Sequence, residues 1–370
     1  MQSILTLFYN VRNTLFPVIE KELSSALTEK EQLFVNILVL CEADRFLVPY
    51  CWCGNGRKPH SRHLIFNLLV LKAVMNFGTT KQALATVKAC PRYRLLCGWE
   101  HASEVPDESV VSRAFGRFAE AGIADRIHAA MIKSYAANAH TEVVARDSVP
   151  VKVRESVAKQ ELAVEPKQEQ PKKRGRPRKG EERPPPPPSN IEVQASRSLA
   201  ENLALLPQEC GWGVKRNGQG IKEKWKGYKL HADVAMDGVP LVCQFSSASM
   251  HDSQCDIPLT QAGLERFIGC IQLKDAAYDA AAIRKFSADS GLTAIIDRNK
   301  RSGENKAFSE VEAEIYKGRS GAERLFSHLG NHGLNNVRVR GYAKVTQHVM
   351  FGVLVVTTFH LIRRVAEMLC

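Results

Sequence analysis

The sequence predicts an α/β domain preceded by an all-α region, on three observations. Residues 1–140 keep apolar side chains at spacings of three and four, as in Leu5, Phe8 and Val11 and again in Leu33, Ile37 and Leu40, which is the period of a helix face. From Trp225 onward, short strand-like runs take turns with helical runs, the pattern of a sheet with helices laid on it. Between the two, Lys152 to roughly Asn190 is charged, rich in Gln and Glu, and ends in Pro184 to Pro188. Such a composition buries too little apolar surface to form a core, so disorder is expected there, with the prolines extended. The expected organisation is therefore a helical N-terminal domain over 1–140 and an α/β domain over 141–370, interrupted by an insertion at about 152–190. A length of 370 residues allows each of two or three domains a core of its own.

The charge balance narrows the partner. There are 51 Lys and Arg against 39 Asp and Glu, a net charge of +12 and a pI near 9.2, which favours a polyanion: nucleic acid first, an anionic membrane surface second. The ten cysteines sit mostly in apolar runs without a regular framework, as reduced core residues of a cytoplasmic protein do. Met1 to Phe8 lacks the basic start and small-residue cleavage site of an export signal. The longest apolar run, Val349 to Ile362, has 14 residues, too few to span a bilayer. A buried helix is expected instead, and no membrane partner.

Within the helical region, Arg45 to Trp99 holds nine Lys and Arg and no acid, a field suited to a phosphate backbone. His63 to Phe77 reads as an apolar helix stopped by Gly78, with Thr79 or Thr80 capping the next, which Pro91 ends. Asp107 is a candidate N-cap for Glu108 to Ala121, in which Arg113 and Arg117 lie four apart. Short helices so spaced suit a helix-turn-helix module, and equally any small helical bundle. Cys51, Cys53, His60 and His63 are ligand types for zinc, but Cys-x-Cys is tighter than the usual spacing and His63 opens the apolar helix, so no zinc is expected.

Glu142 to Pro150 turns strand-like and runs to an acid, Asp147, expected at the C-terminal end of the strand; by itself such an acid reads as a turn-former. Inside the insertion, Lys172 to Lys179 packs six positive charges into eight residues. Its core, Arg174-Gly175-Arg176-Pro177, resembles an AT-hook, in which two extended arginines flank a glycine small enough for a narrow, strongly negative minor groove; the plainer reading is a basic linker. Gly227 to Ala235 alternates as a strand, Asp237-Gly238 is a hairpin turn, and Pro240 to Phe245 returns. Ile257 to Ile268 then reads as helix, Cys270 to Leu273 as a strand running into Lys274-Asp275, Ala280 to Asp289 as helix and Leu292 to Ile296 as strand. Asp275 thus repeats the placement of Asp147. Tyr316, Arg319 and Glu323 follow at intervals of three and four, one face of a helix whose other face holds Leu325 and Leu329. Alone, that polar face reads as a solvated ion pair.

Together these stretches resemble the ribonuclease H-like core of the DDE transposases of bacterial insertion sequences, over about residues 57 to 365. The resemblance rests on Gly56-Arg57-Lys58-Pro59, Cys97-Gly98-Trp99, Val105 to Ser109, Asp147-Ser148, Lys226 to His231, Ala248 to Ser253 and Lys274 to Asp279. It ends on the family's Tyr-x2-Arg-x3-Glu-x6-Lys signature at Tyr316, Arg319 and Glu323, where Gly330 stands in place of the lysine. It implies a mixed sheet flanked by helices, with Asp147, Asp275 and Glu323 as catalytic metal ligands and Tyr316 and Arg319 on DNA phosphates. It further implies two Mg2+ ions about 4 Å apart, with Mn2+ as a substitute, because a phosphodiester is anionic and a poor electrophile. The implied substrates are the element's terminal inverted repeats and target DNA, handled by a homodimer or larger assembly. The alternative is a non-catalytic DNA-binding regulator derived from a transposase. Arg324, Lys317 and Arg338 are the candidate replacements for the missing lysine.

Overall fold

The computed structural model describes residues 4–48, 52–56, 58–136, 142–157, 187–216, 219–266, 271–298 and 307–369. The first third is helical: α1 (Ile4–Asn10), α2 (Phe16–Leu23), α3 (Glu29–Cys41), α4 (Arg62–Val74), α5 (Thr80–Ala89), α6 (Pro91–Cys97), α7 (Glu108–Glu120) and α8 (Ile123–Met131). Local chemistry sets their ends. Thr28 and Glu31 form a reciprocal capping box at the start of α3, and the Thr79 hydroxyl accepts the Gln82 amide at 3.0 Å to start α5. The helix expected to run to Phe77 stops at Val74. Asn76, at φ +53°, takes the left-handed turn there rather than Gly78, as asparagine can.

The remainder holds strands β1 (Val143–Lys152), β2 (Gly211–Arg216), β3 (Lys222–Ala235), β4 (Pro240–Ser247), β5 (Ile271–Lys274) and β6 (Thr293–Ile296). Its helices are α9 (Asn190–Gln194), α10 (Leu199–Ala204), α11 (Asp256–Arg266), α12 (Ala281–Asp289), α13 (Glu310–Tyr316), α14 (Ser320–Gly330) and α15 (Tyr342–Leu369). The sheet is mixed: β1 pairs antiparallel with β3 and parallel with β5, β5 is parallel to β6, and β3 takes both β2 and β4 antiparallel. Sequence reading missed β2, whose Gly-Trp-Gly-Val-Lys-Arg carries no apolar alternation; what it has instead is room. A side chain at Gly213 would strike the buried Trp225 ring, while Trp212 stays exposed.

Two expectations for the first strand change. Asp147 does not end a strand: β1 runs on to Lys152 because the 14-residue β3 continues to pair with it there, and only the pairing with β5 stops, at Ala145. The non-core segment likewise starts later than Lys152, since Val153 is buried. At the crossing, Gly227 (φ +144°) lies so close to the Val151 carbonyl that a Cβ would overlap it, so only glycine lets β3 pass β1.

α11 covers one face of the sheet and α14 the other, the latter burying Ala322, Leu325 and Leu329 against β1 and β3. α15 is long and apolar enough to cross a membrane by length and composition, yet 67% of its most apolar window is buried in the fold. It packs on α3, α4, α7 and α8, so one continuous apolar core runs from Val11 to Leu361.

Between α11 and the sheet lies a fully buried charge network. Arg146 is 1% exposed and grips Asp233 through Nε and one terminal nitrogen of its fork, at 2.7 Å each. It also reaches Asp256 at 2.6 Å and the Thr260 hydroxyl at 2.9 Å, and Lys274 reaches the same Asp256 at 2.9 Å. Burial alone would raise the Asp256 pKa, but Lys274 and Arg146 bring it below the ordinary carboxylate range. Two cations face two carboxylates, so deleting one member strands a buried charge. Asp256→Ala is expected to cost about 3–5 kcal/mol of unfolding free energy in a denaturant titration; a loss under about 1 kcal/mol would mean water already solvates the cluster.

Candidate active site

Alternation along β1 and β5 determines which side chains reach which face. Arg146 and Lys274 point into the α11 layer, so their successors, Asp147 and Asp275, turn away from it. The β1–β5 register pairs Val143 with Ile271 and Ala145 with Leu273; carried on by two residues it sets Asp147 level with Asp275. Asp275 follows β5 directly and accepts the Ala277 amide at 3.0 Å, capping a short 3-10 turn over Ala276–Tyr278.

The segment Tyr316 to Leu329, expected as one helix, is two helices joined by a 3-10 turn, Lys317–Arg319. Gly318 sits in that joint with the thioether end of Met236 against it. Tyr316, closing α13, donates its hydroxyl to the Lys274 carbonyl at 3.2 Å, which ties the helix to the strand end just before Asp275. Arg319, on the turn, places one terminal nitrogen 3.1 Å from Asp147 and the other 3.1 Å from Glu323. Glu323, in the first turn of α14, is 63% exposed and reaches Asp147 only through this guanidinium.

Burial pushes the Asp147 carboxyl up to about 6. The Ser148 amide and Arg319 pull against that, while Asp275 and Asp252 add to it. Asp275 is also raised, by burial and by Asp252. Asp252, which from sequence alone reads as a loop acid, is the neighbour that sequence reasoning missed. Burial would raise it too, but His231, Lys229 at 2.8 Å and the Ser148 hydroxyl bring it below the ordinary range. Its only signal was proximity to the Ala248 to Ser253 stretch. Tyr278 is 1% exposed, its hydroxyl finds no partner among the described residues, and Asp252, Asp147 and Asp275 all raise its pKa.

Excess negative charge beside an orphaned hydroxyl suits a hard, oxygen-seeking divalent cation, and Asp147 and Asp275 offer it oxygen donors. Among the described residues no three acids, histidines or cysteines converge closely enough to hold a metal as they stand, and Arg319 occupies the space between Asp147 and Glu323. Asp233 and Asp279 stay outside the cluster, Asp233 committed to Arg146 and Asp279 to Arg284 at 2.8 Å, whereas Asp297 borders it, its amide donating to the same Lys274 carbonyl as Tyr316. At the signature lysine position, a Cβ on Gly330 would come within 2.7 Å of Asn335. Of the candidate replacements, Lys317 is paired with Glu314 and Arg338 donates to Asn336 at 3.1 Å, whereas Arg324 donates only to the Ser320 hydroxyl and lines an open cleft with Arg363 and Arg364. The AT-hook-like residues Arg174, Gly175, Arg176 and Pro177 lie outside the described residues, as does Cys51.

A family model described as the transposase DDE domain matches residues 141–357, well over half of the chain. The chain belongs to the DDE transposase family. A second model, described as a transposase domain, matches residues 22–117, so the helical layer and the sheet both belong to transposase sequence, as in the transposases of bacterial insertion sequences. No curated protein and no solved structure matches the chain. Membership makes this transposase a protein that acts on DNA.

The strained carboxylate gives a pH-dependent prediction. A folded-state pKa near 6, above the ordinary value of 3.8, means the fold favours protonated Asp147; this contribution is complete below 3.8 and is lost as pH rises through 6. Asp147→Asn removes the penalty, so in metal-free protein it should stabilise more at pH 8 than at pH 5, by about 1–2 kcal/mol. Melting curves at both values test this; a pH-independent effect would refute it.

Proposed function

We propose that this transposase cuts phosphodiester bonds at the ends of its element and joins the freed ends to target DNA, with Asp147, Asp275 and Glu323 as its catalytic carboxylates in a ribonuclease H-like core. The carrying observation is the Arg319 bridge: one guanidinium holds together a strand acid and a helix acid 176 positions apart, beside a second strand acid set level by the parallel register. The element order supports the fold reading, with four strands, β1 to β4, paired antiparallel and then helices alternating with the parallel strands β5 and β6.

Water attacks phosphorus at an element end and the 3'-oxygen leaves, giving a 3'-hydroxyl and a 5'-phosphate. That hydroxyl then attacks a target phosphodiester, so one bond forms as one breaks. Bound Mg2+, or Mn2+ in its place, supplies the Lewis acidity that activates the nucleophile and stabilises the leaving oxygen. Asp147 and Asp275 hold the metal, two ions when Glu323 joins them. Arg319 releases the acids and turns its fork to a strand phosphate, for which two parallel donors are suited. Tyr316 keeps the α13–α14 joint at the end of β5 and lies beside the same strand. Two ends must be cut in concert, which calls for a homodimer or larger assembly on DNA in the cytoplasm. The AT-hook-like core, Arg174 to Pro177, holds A·T-rich minor groove near the ends.

On DNA carrying the element's ends, wild type should nick or join with Mg2+, while Asp147→Asn, Asp275→Asn and Glu323→Gln bind but lose cleavage by more than about 100-fold, beyond the effect of losing even an outer-shell metal partner. Mg2+ should also raise the melting temperature of wild type and not of Asp147→Asn, a readout independent of turnover. Variants that cut like wild type would remove these acids from the mechanism, and a wild type that binds without cutting would make the chain a regulator. Deleting Lys172 to Lys179 should weaken binding to A·T-rich duplex and flatten its salt dependence; an unchanged salt slope would make that segment a linker.

A further inference from the structure

A second cationic site lies in the helical layer. The start of α4 and the exposed face of α7 enclose an open cleft of about 470 Å3. Its rim carries Lys58, Arg62, Arg113 and Arg117, its floor includes Ile65 and Val110, and no acid lines it. Arg113 and Arg117 are exposed and one helical turn apart, and among the described residues none of the four cations has a carboxylate within ion-pair distance. The first turn of α4 opens into the same place, with Ser61 accepting the Leu64 amide.

Cations normally recruit acids on a protein surface, so four unpaired ones around one cleft are kept for a ligand. Several separate positive groups call for a repeating anion rather than a single carboxylate. The cleft is concave, which suits a convex strand and not a flat bilayer, where a basic helix would need an exposed apolar face beside it. The apolar floor can take deoxyribose while the rim takes phosphate oxygens, and arginine forks match those oxygens two at a time.

We propose that the α4–α7 cleft seats the sugar–phosphate backbone of duplex DNA, as a second anchor on residues distinct from the catalytic acids. It rests on the reading that DNA is the substrate, and it adds a sequence-independent contact that steers and holds the duplex while the acids act on another part of it.

The test is binding of the full chain to a random-sequence DNA duplex across a salt series, in wild type and in an Arg113→Gln/Arg117→Gln variant whose melting temperature is first shown to match. The variant should bind about 10–100-fold more weakly at low salt, with the slope of log K against log salt shallower by about 2, one contact per arginine. Lys285→Gln, exposed on α12 and in neither cationic cleft, should leave both unchanged. A variant slope equal to that of wild type overturns the proposal, as does a cleft-dependent gain on phosphatidylserine vesicles with none on DNA. Asp147→Asn separates this from the catalytic reading: if it keeps cleft-dependent binding and still cuts, the acids are wrong and the cleft stands. If it fails to cut while Arg113→Gln/Arg117→Gln binds like wild type, the cleft is wrong and the acids stand.

Discussion

The geometry of the site depends on a buried ion cluster that takes no part in chemistry. Arg146 and Lys274 occupy neighbouring strands and share one carboxylate, Asp256, on the helix beneath them. A slip of one residue in either strand would turn these cations to the other face and leave Asp233 and Asp256 without partners, at a cost of several kcal/mol. The register is therefore fixed by charge on one side of the sheet, and what it fixes on the other side is the level at which Asp147 and Asp275 meet. Lys274 bears the strain of this arrangement: burial, with Arg146 adding to it, pulls its ammonium down to about 8 while Asp256 holds it up.

On the far face the balance is reversed. Asp147 and Asp275 are buried with only partial compensation; Arg319 touches Asp147 from the helical side and acts on Asp275 only through its charge. Burial works against that guanidinium, but Asp147, Tyr316 and Glu323 outweigh it and keep it charged. The ion pairs at 3.1 Å are looser than those of the Arg146 cluster at 2.6 and 2.7 Å. One cluster is built to stay, and the other is built to exchange partners.

Much of this was legible in the residues and some was not. Strands with tight punctuation, such as Pro240 to Phe245 behind Asp237-Gly238, fall where the period-two pattern puts them, because local turn chemistry and burial agree. The length of β1 was hidden, since Pro150 reads as a stop; only the long partner strand β3 shows that it continues. The Tyr316 to Leu329 face was visible from its spacing, but its break at Lys317–Arg319 was not, because the spacing of the polar face runs on unchanged through the joint. Asp252 escaped because its meaning lies in Ser148 and Lys229, which approach only when β1, β3 and the loop after β4 assemble. Patterns report faces, and tertiary contacts decide which faces meet.

The placement of α15 bears on how the chain is made. The helices before residue 136 leave the ribosome early, yet the core they share is completed by a helix that starts at Tyr342. During synthesis, apolar surfaces on α3, α4, α7 and α8 wait for a partner more than two hundred residues downstream, so closure of the core is a late event of high contact order. The sheet bearing the acids is thus sealed by the same helix that finishes the helical layer. A nascent or truncated chain holds neither half in its finished form, so Asp147, Asp275 and Glu323 settle into place only once synthesis has passed α15.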